Sequence, residues 1–541
     1  KDPLYFWPIS PAWIAPTVGI MFIIFCVCFF MYTTQKIRVH HDSNTLKGST
    51  EWANINDMVE KYAEFEEKDY KHAFYNAICS ENFQMSINQK KHYHALNTLI
   101  LGTTGSGKSR YYLKPNLLQM NCCYVVTDPS GGILQSCGET LRRFGYNIRV
   151  FDLVDMGNCN TYNPMKYCKK ESDVKALVDA FIKNTAPPGQ QSGGNQDPFW
   201  DNAMNAFLCS TISLLTTYGN NPDIMGGYIY EPCFANLCEL TRMANRKAPG
   251  GPSTVGRGGE GNTASGSELN VIFERIKASL KEDEDKPYCL REWENFKIAP
   301  EKTSTTILMT AAVRLDPFNI QQVKELTSTD TVCLDTFGDG RDALFVITPT
   351  NDSTYNYLVS FMYTQLFNIL YTKGEKENLG TIDLKLQNGE LVKHFTKEQV
   401  DAGIDEEVQN IQKSTIRPVE VGGQLKVTVP KKKRKQKKLP PYIWDGYYEI
   451  VSGDGETVIS RRPTKDLAIQ YVHELKNLKR VKGNGESLPS HIRFLLDEFA
   501  NIGEIPLFKE KLATMRKYEI SCTVTVDNFI VLFVHAFELS N

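Results

Sequence analysis

The chain has 541 residues, too many for one ordinary core, so two or more domains are expected. With 41% hydrophobic and 23% charged residues, the composition excludes disorder except locally. The formal net charge of -2 excludes a polycation, so any nucleic-acid contact has to rest on local basic patches.

The first residue is Lys1 rather than Met, from which a missing natural amino terminus is expected. From Ile14 to Tyr32 the chain reads IAPTVGIMFIIFCVCFFMY, without a charge. About 20 apolar residues span a bilayer as a helix. A buried core helix and a signal-peptide core are the alternatives, but the latter is shorter and needs a small-residue cleavage site that is not visible here. Trp7 and Trp13 before the run and Tyr32 at its end suit aromatic interface anchors. Lys36, Arg38 and Lys47 then place the following segment, and with it the bulk of the chain, on the cytoplasmic side of the cell membrane. Residues 1–35 are therefore expected to form an extracytoplasmic loop and a transmembrane helix, and 36–90 a membrane-proximal linker.

Residues 91–185 alternate strand runs near Asn97–Leu101, Tyr124–Thr127 and Asn147–Phe151 with helical stretches, the pattern of a parallel sheet. Residues 186–300 open on Pro187-Pro188-Gly189 and carry a helical run from about Phe199 to Tyr218, with Phe207, Leu208, Ile212 and Leu215 on one face. A loose Gly/Ser tract covers Gly250–Gly266. This region reads as an inserted, mainly helical subdomain. Sheet character resumes in 301–372, with ALFVIT at Ala343–Thr348 and an amphipathic helix from about Ser353 to Tyr371. Residues 373–480 are a polar insertion holding KKKRKQKK at Lys431–Lys438, seven of its eight residues basic. Residues 481–541 return to the sheet at Ile492–Leu496 and Ile520–Val526. The fourteen cysteines form no CxxC pair and no His cluster accompanies them, which favours buried reduced thiols over a zinc site.

One segment carries chemistry by itself. Gly102, Thr103, Thr104, Gly105, Ser106, Gly107, Lys108 and Ser109 satisfy G-x4-G-K-[ST], after an apolar strand and before a helical pattern. Glycines let the backbone turn its N–H groups towards phosphates, and the helix that follows adds its positive end. Lys108 is placed to reach the β and γ phosphates of ATP, and the Ser109 hydroxyl to ligate Mg2+. A second motif, FLLDEFANI at Phe494–Ile502, ends an apolar strand in two carboxylates. Asp497 suits the Mg2+ water shell and Glu498 the polarisation of the attacking water. A bare acidic pair is weak alone and gains its meaning from the phosphate motif earlier in the chain. Arg516 lies 18 residues beyond Glu498. From the residues alone it reads as a surface arginine paired with an acid; in a ring it is placed to reach a neighbour's γ phosphate.

With these motifs, GSTEWA at Gly48–Ala53, YVVTDPSG at Tyr124–Gly131, DPFWDNA at Asp197–Ala203 and the segment Ala343–Phe367, the chain resembles the TraG-like coupling ATPases of conjugation and type IV secretion. The resemblance extends from the membrane segment almost to the last residue. It implies a RecA-like P-loop NTPase domain, a helical all-alpha insertion, an amino-terminal anchor and a homo-hexameric ring. It also implies ATP-driven handling of a relaxase–DNA complex, with single-stranded DNA, at the channel proteins of the secretion system. Under it Arg516 becomes the trans-acting arginine. Three departures stand out. Asp128-Pro129-Ser130-Gly131-Gly132 occupies the place of a family DPKGE segment and lacks its lysine and glutamate. Asp527 stands where the family has a glutamine that serves as a candidate nucleotide sensor; the alternative is that Asp527 and Asn528 form an exposed turn. The family also continues past the last strand, so truncation or divergence is implied at Asn541.

The basic run at Lys431–Lys438 has three readings: a nuclear-import signal, which the membrane segment disfavours; a contact to DNA phosphates or anionic lipid; or a solvated charge run. Two alternatives to the coupling ATPase stand. One is a nucleotide-binding membrane scaffold with little turnover, which the loss of the DPKGE charges and Asp527 favour. The other is a chromosome-partitioning DNA pump, whose several membrane helices and DNA-reading module are not visible.

Overall fold

Strands form where the sequence runs apolar with little alternation, and helices cover both of their faces. The computed structural model describes residues 11–37, 53–64, 76–89, 94–129, 131–186, 198–248, 266–281, 284–350, 354–377, 379–387, 390–420, 446–484 and 487–527. They fall into two units, Lys1–Met58 and Val59–Asn541. In the first, the uncharged segment lies within a helix, Pro11–Ile37, whose described side chains include exposed Phe22, Phe25 and Phe30. Among the described residues, however, no helix is long and apolar enough to cross a membrane. The expected transmembrane helix is therefore not found among the described residues. Trp7, Arg38, Lys47, Ser130, Asn528, residues 250–265 of the Gly/Ser tract and the basic run Lys431–Lys438 lie outside the described residues.

The strands of the second unit are, in chain order, β1 (Asn76–Ser80), β2 (Phe83–Ser86), β3 (Thr98–Leu101), β4 (Cys123–Pro129), β5 (Asn147–Asp152), β6 (Asp342–Thr348), β7 (Leu379–Lys385), β8 (Leu391–Phe395), β9 (Thr415–Glu420), β10 (Gly446–Val451), β11 (Val458–Arg462), β12 (Lys479–Asn484), β13 (Ile492–Leu496) and β14 (Ile520–Val526). Six of them make one sheet, ordered β3-β14-β13-β4-β6-β5, with every pairing parallel. This is the α/β parallel-sheet class expected. Parallel strands covered on both faces read as continuous apolar runs, and β6 (DALFVIT) and β13 (IRFLL) are buried at every position. On one face the helix Tyr357–Thr372 packs down, with the Phe367 ring stacked 4.4 Å from that of Phe494. On the other, Leu113 and Leu117 from 108–117, and Ile133, Cys137 and Leu141 from the helix Gly132–Arg143, cover Tyr124, Val126, Phe345 and Leu495.

The inserted helices include Pro198–Tyr218, Phe234–Asn245, Glu268–Ser279 and Tyr288–Lys297. Their packing continues past residue 300, because Glu301–Leu315 and Gln321–Ser328 join the same core. The Phe234 and Phe318 rings stack at 4.0 Å, and Arg242 Nη2 donates to Asn319 Oδ1 at 2.7 Å. The described residues of the segment expected as a polar insertion carry secondary structure and a core of their own. β12-β7-β8 and β11-β10-β9 form two antiparallel sheets that share a core of Leu384, Leu386, Phe395, Ile450, Tyr471 and Leu475 with the helix Lys465–Leu475. Its apolar residues are few but alternate along short strands, and half-buried antiparallel strands need no more.

Candidate nucleotide site

Register brings the functional residues to one edge. Val526 pairs with Leu101, and Leu496 with both Val524 and Thr127. The residues that follow three of these strands, Gly102, Asp527 and Asp497, and Asp128 near the end of β4, therefore emerge at the carboxyl end of the sheet, where ligands of open parallel sheets bind. The ladder runs on into the loop through Gly102 N–H, which donates to the Val526 carbonyl at 3.2 Å. Gly105 and Gly107 take φ of +84° and +90°, a region costly for a side chain. The loop then passes into the helical run 108–117.

Lys108 turns back over the loop. Its Nζ donates to the Gly102 carbonyl at 2.6 Å and forms an ion pair with Asp527. Thr104 Oγ1 donates to the other Asp527 oxygen at 3.4 Å. Asp527 thus faces the phosphate loop. Ser109 Oγ donates to Asp497 Oδ2 at 2.7 Å, and Thr525 Oγ1 to Asp497 Oδ1 at 2.5 Å. That hydroxyl also accepts from the Glu498 N–H at 3.1 Å. Glu498 sits at φ +49°, and Asn501 Nδ2 holds its carboxylate at 3.1 Å. Burial, reinforced by the Asp527 and Asp497 charges, raises the Glu498 carboxyl above its ordinary value; Asn501 and Lys108 oppose this.

Asp128 caps the helix Gly132–Arg143, accepting from Ile133 N–H at 2.8 Å and Leu134 N–H at 2.7 Å. Burial raises its pKa more than these donors lower it. The segment after β4 lacks a lysine of its own, yet a cation stands at this corner: Lys114 Nζ donates to the Gly132 carbonyl at 3.2 Å. Among the described residues no group of three or more His, Cys, Asp or Glu is arranged to hold a metal. Mg2+ needs none, since one hydroxyl and one carboxylate with waters and phosphates complete its shell. Ser109 and Asp497, hard oxygen donors already in contact, fit that ion.

Arg516 is not brought to this site. It lies in the turn Met515–Tyr518 before β14, at the amino end of a seven-residue strand whose far end carries Asp527. At ~3.3 Å per residue the two ends are about 20 Å apart. Reading the sequence by motif missed Thr525, Asn501 and Lys114. The only local signal was a polar residue, Thr525, near the end of a mostly apolar strand; the other two are recognisable only by whom they touch.

A sequence model of the family "Type IV secretory system Conjugative DNA transfer" matches residues 51–383 and 454–530. Residues 384–453 lie between those matches. Among solved structures, the chain is similar to the bacterial conjugative coupling protein TrwBdeltaN70 in its sulphate-bound trigonal form, at 11% identity over 91% of this chain and 76% of that one, with a TM-score of 0.44. It is similar to TrwB with the ATP analogue ADPNP at 10% identity over 88% and 72%, TM-score 0.43. It is also similar to VirB4 of Thermoanaerobacter pseudethanolicus at 10% identity over 82% and 74%, TM-score 0.32. No curated protein matches the chain.

Proposed function

This chain belongs to the family of type IV secretory conjugative DNA transfer, and on that premise we propose that it is a membrane-anchored coupling ATPase. In this reading it binds ATP with Mg2+ and uses hydrolysis to drive a relaxase–DNA substrate, as single-stranded DNA, into the secretion channel. The observation that carries it is the set of contacts of Lys108, Ser109 and Asp497 at the glycine loop, with Glu498 next to Asp497 and within reach of the Lys108 charge. Lys108 leaves Asp527 for the β and γ phosphates, and Ser109 and Asp497 hold the metal. Glu498, positioned by Asn501 and the Thr525 hydroxyl, orients and deprotonates the attacking water. Arg516, remote from its own loop, serves the γ phosphate of a neighbour in a homo-hexameric ring. The apolar segment Ile14–Tyr32 anchors the chain in the cell membrane with the motor on the cytoplasmic side.

The Lys108–Asp527 ion pair favours a second reading, a nucleotide-binding scaffold with little turnover, because a carboxylate occupies the lysine that phosphate needs. ATP turnover of the full chain with and without single-stranded DNA separates the two. The coupling ATPase predicts stimulation by DNA, and Lys108→Ala abolishes turnover and transfer while the protein stays folded and membrane-bound. Unchanged turnover in that variant removes the site assignment. Equal, near-zero rates with and without DNA favour the scaffold.

A further inference from the structure

Two tyrosines follow the phosphate loop, and the fold treats them in opposite ways. Tyr112 turns inward, where its hydroxyl accepts from Arg493 Nη2 at 3.1 Å. Tyr111 turns outward and is 71% exposed. Its N–H donates to the Gly107 carbonyl at 2.8 Å, and its ring lies against the loop. A Cβ at Gly107 would stand 2.4 Å from Tyr111 Cδ2 and 2.6 Å from Cε2, so a side chain there would displace the ring, besides being disfavoured by the φ of +90°. The Arg110 guanidinium stands 5.5 Å from the ring centroid. A tyrosine buries ~150–250 Å2 when it packs into a core; this one leaves most of that surface open beside a phosphate cradle.

The position fits one end of a nucleotide. Ser109, in contact with Asp497, marks the metal and γ-phosphate side. Tyr111 is two residues further along the π-helical run Lys108–Leu113, about half a turn round the axis, and so lies across that run from Ser109 and the carboxylates. A nucleotide whose β and γ phosphates sit at Lys108 extends its α phosphate, ribose and base in that direction. We propose that the Tyr111 ring, flanked by the Arg110 guanidinium, is the platform on which the base of the bound nucleoside triphosphate stacks. The inference rests on residues 102–109 being the phosphate site. Every base has a π face, and stacking contains no hydrogen-bond readout, so purines are preferred to pyrimidines by area while ATP and GTP are held alike.

The test compares ATP with inorganic tripolyphosphate, each with Mg2+, as ligands of the full chain. Tyr111→Ala is expected to weaken ATP binding about 10-fold and to leave tripolyphosphate binding unchanged. Tyr111→Phe keeps the ring and is expected to retain the ATP affinity of the parent. Tyr111→Trp is expected to add a fluorescence signal quenched by ATP and not by tripolyphosphate. Unchanged ATP affinity in Tyr111→Ala overturns the proposal. So does an equal loss for both ligands, which assigns the ring to shaping the loop. If the parent chain binds neither ligand, the phosphate-site reading fails first and this inference fails with it, a result distinct from an ATP-specific null effect of the alanine variant.

Discussion

The two ends of the central sheet hold charge in opposite ways. At the carboxyl end, Asp128, Asp497, Glu498 and Asp527 gather round Lys108, and the pKa values of Asp128 and Glu498 are pushed up. At the amino end, Glu390 lies between Arg341, at 2.5 Å, and Arg462, at 3.1 Å; burial pushes its pKa up, but these two guanidinium groups together outweigh it and hold the pKa down. Nearby, Arg149 pairs with Asp342 at 2.9 Å. The second arrangement is saturated and ties the 379–484 segment to the sheet. The first is acidic beyond what its one paired lysine neutralises, a state that a cation or a cationic neighbour relieves. The difference teaches where this molecule stores binding capacity and where it stores stability.

The largest effect is expected at the saturated end. Glu390→Leu leaves two arginines buried without their partner and should cost about 3–5 kcal/mol. Chemical denaturation would register this as a lower midpoint, with nucleotide binding intact below it. A loss under ~1 kcal/mol would mean that the cluster is no better than a surface pair. Glu498→Gln acts only at the acidic end: the amide keeps shape and loses the base, so ATP binds and is hydrolysed about 100-fold more slowly or worse. Collapse of nucleotide affinity instead would make Glu498 a structural or metal-holding group.

Asp527→Gln sharpens the comparison by relieving the acidic end. An ionised carboxylate accepts only and repels phosphate, whereas the amide also donates. A few-fold rise in DNA-stimulated turnover is expected, with Lys108 released from its ion pair. The same variant carries a pH signature. Glu498 works ionised, and Asp527 is one cause of its raised pKa. Neutralising residue 527 lowers that pKa, so the acid limb of the rate–pH profile moves to lower pH. Wild-type rates and an unmoved limb would reduce Asp527 to a turn residue.

The smaller of the two stability effects concerns Lys511, packed over the Phe367 ring with its Nζ donating to Asn368 Oδ1 at 2.9 Å. Burial lowers its pKa to about 8, against ~10.4 in an unfolded chain. The folded state disfavours the charged form, so stability is lowest below pH 8 and rises as the pH climbs from about 8 to ~10.4. Lys511→Met should flatten that rise and add about 1–2 kcal/mol at pH 7. A mutant that keeps the parent's rise in denaturation midpoint with pH would show that Lys511 is not its source.

Much of this was legible in order along the chain. Gly102–Ser109 declares itself because phosphate binding by a backbone loop depends on consecutive residues. The strands at Ala343–Thr348 and Ile492–Leu496 declare themselves because burial on both faces demands uninterrupted apolar runs. The helical character of 186–300 was visible in the spacing of Phe207, Leu208, Ile212 and Leu215, while its continuation to Ser328 was not, since joining a core is a matter of contact. The core of the 379–484 segment escaped notice because its strands are short and its pairings join residues far apart in sequence, such as Arg417 with Glu449 between β9 and β10.

By itself, then, the sequence determined the chemistry available: a phosphate loop, two carboxylates after an apolar strand, and a parallel α/β fold to carry them. Only the tertiary structure decided how these act on one another. Inserting β14 between β3 and β13 is what sets Asp527 on Lys108 and Thr525 on Asp497, residues separated by more than 400 positions in the first case and by 28 in the second. It also sends Arg516 to the far end of the same strand. Motifs are local because backbone loops and helix starts are local; charge balance is not, because it sums over whichever strand ends the sheet order brings together.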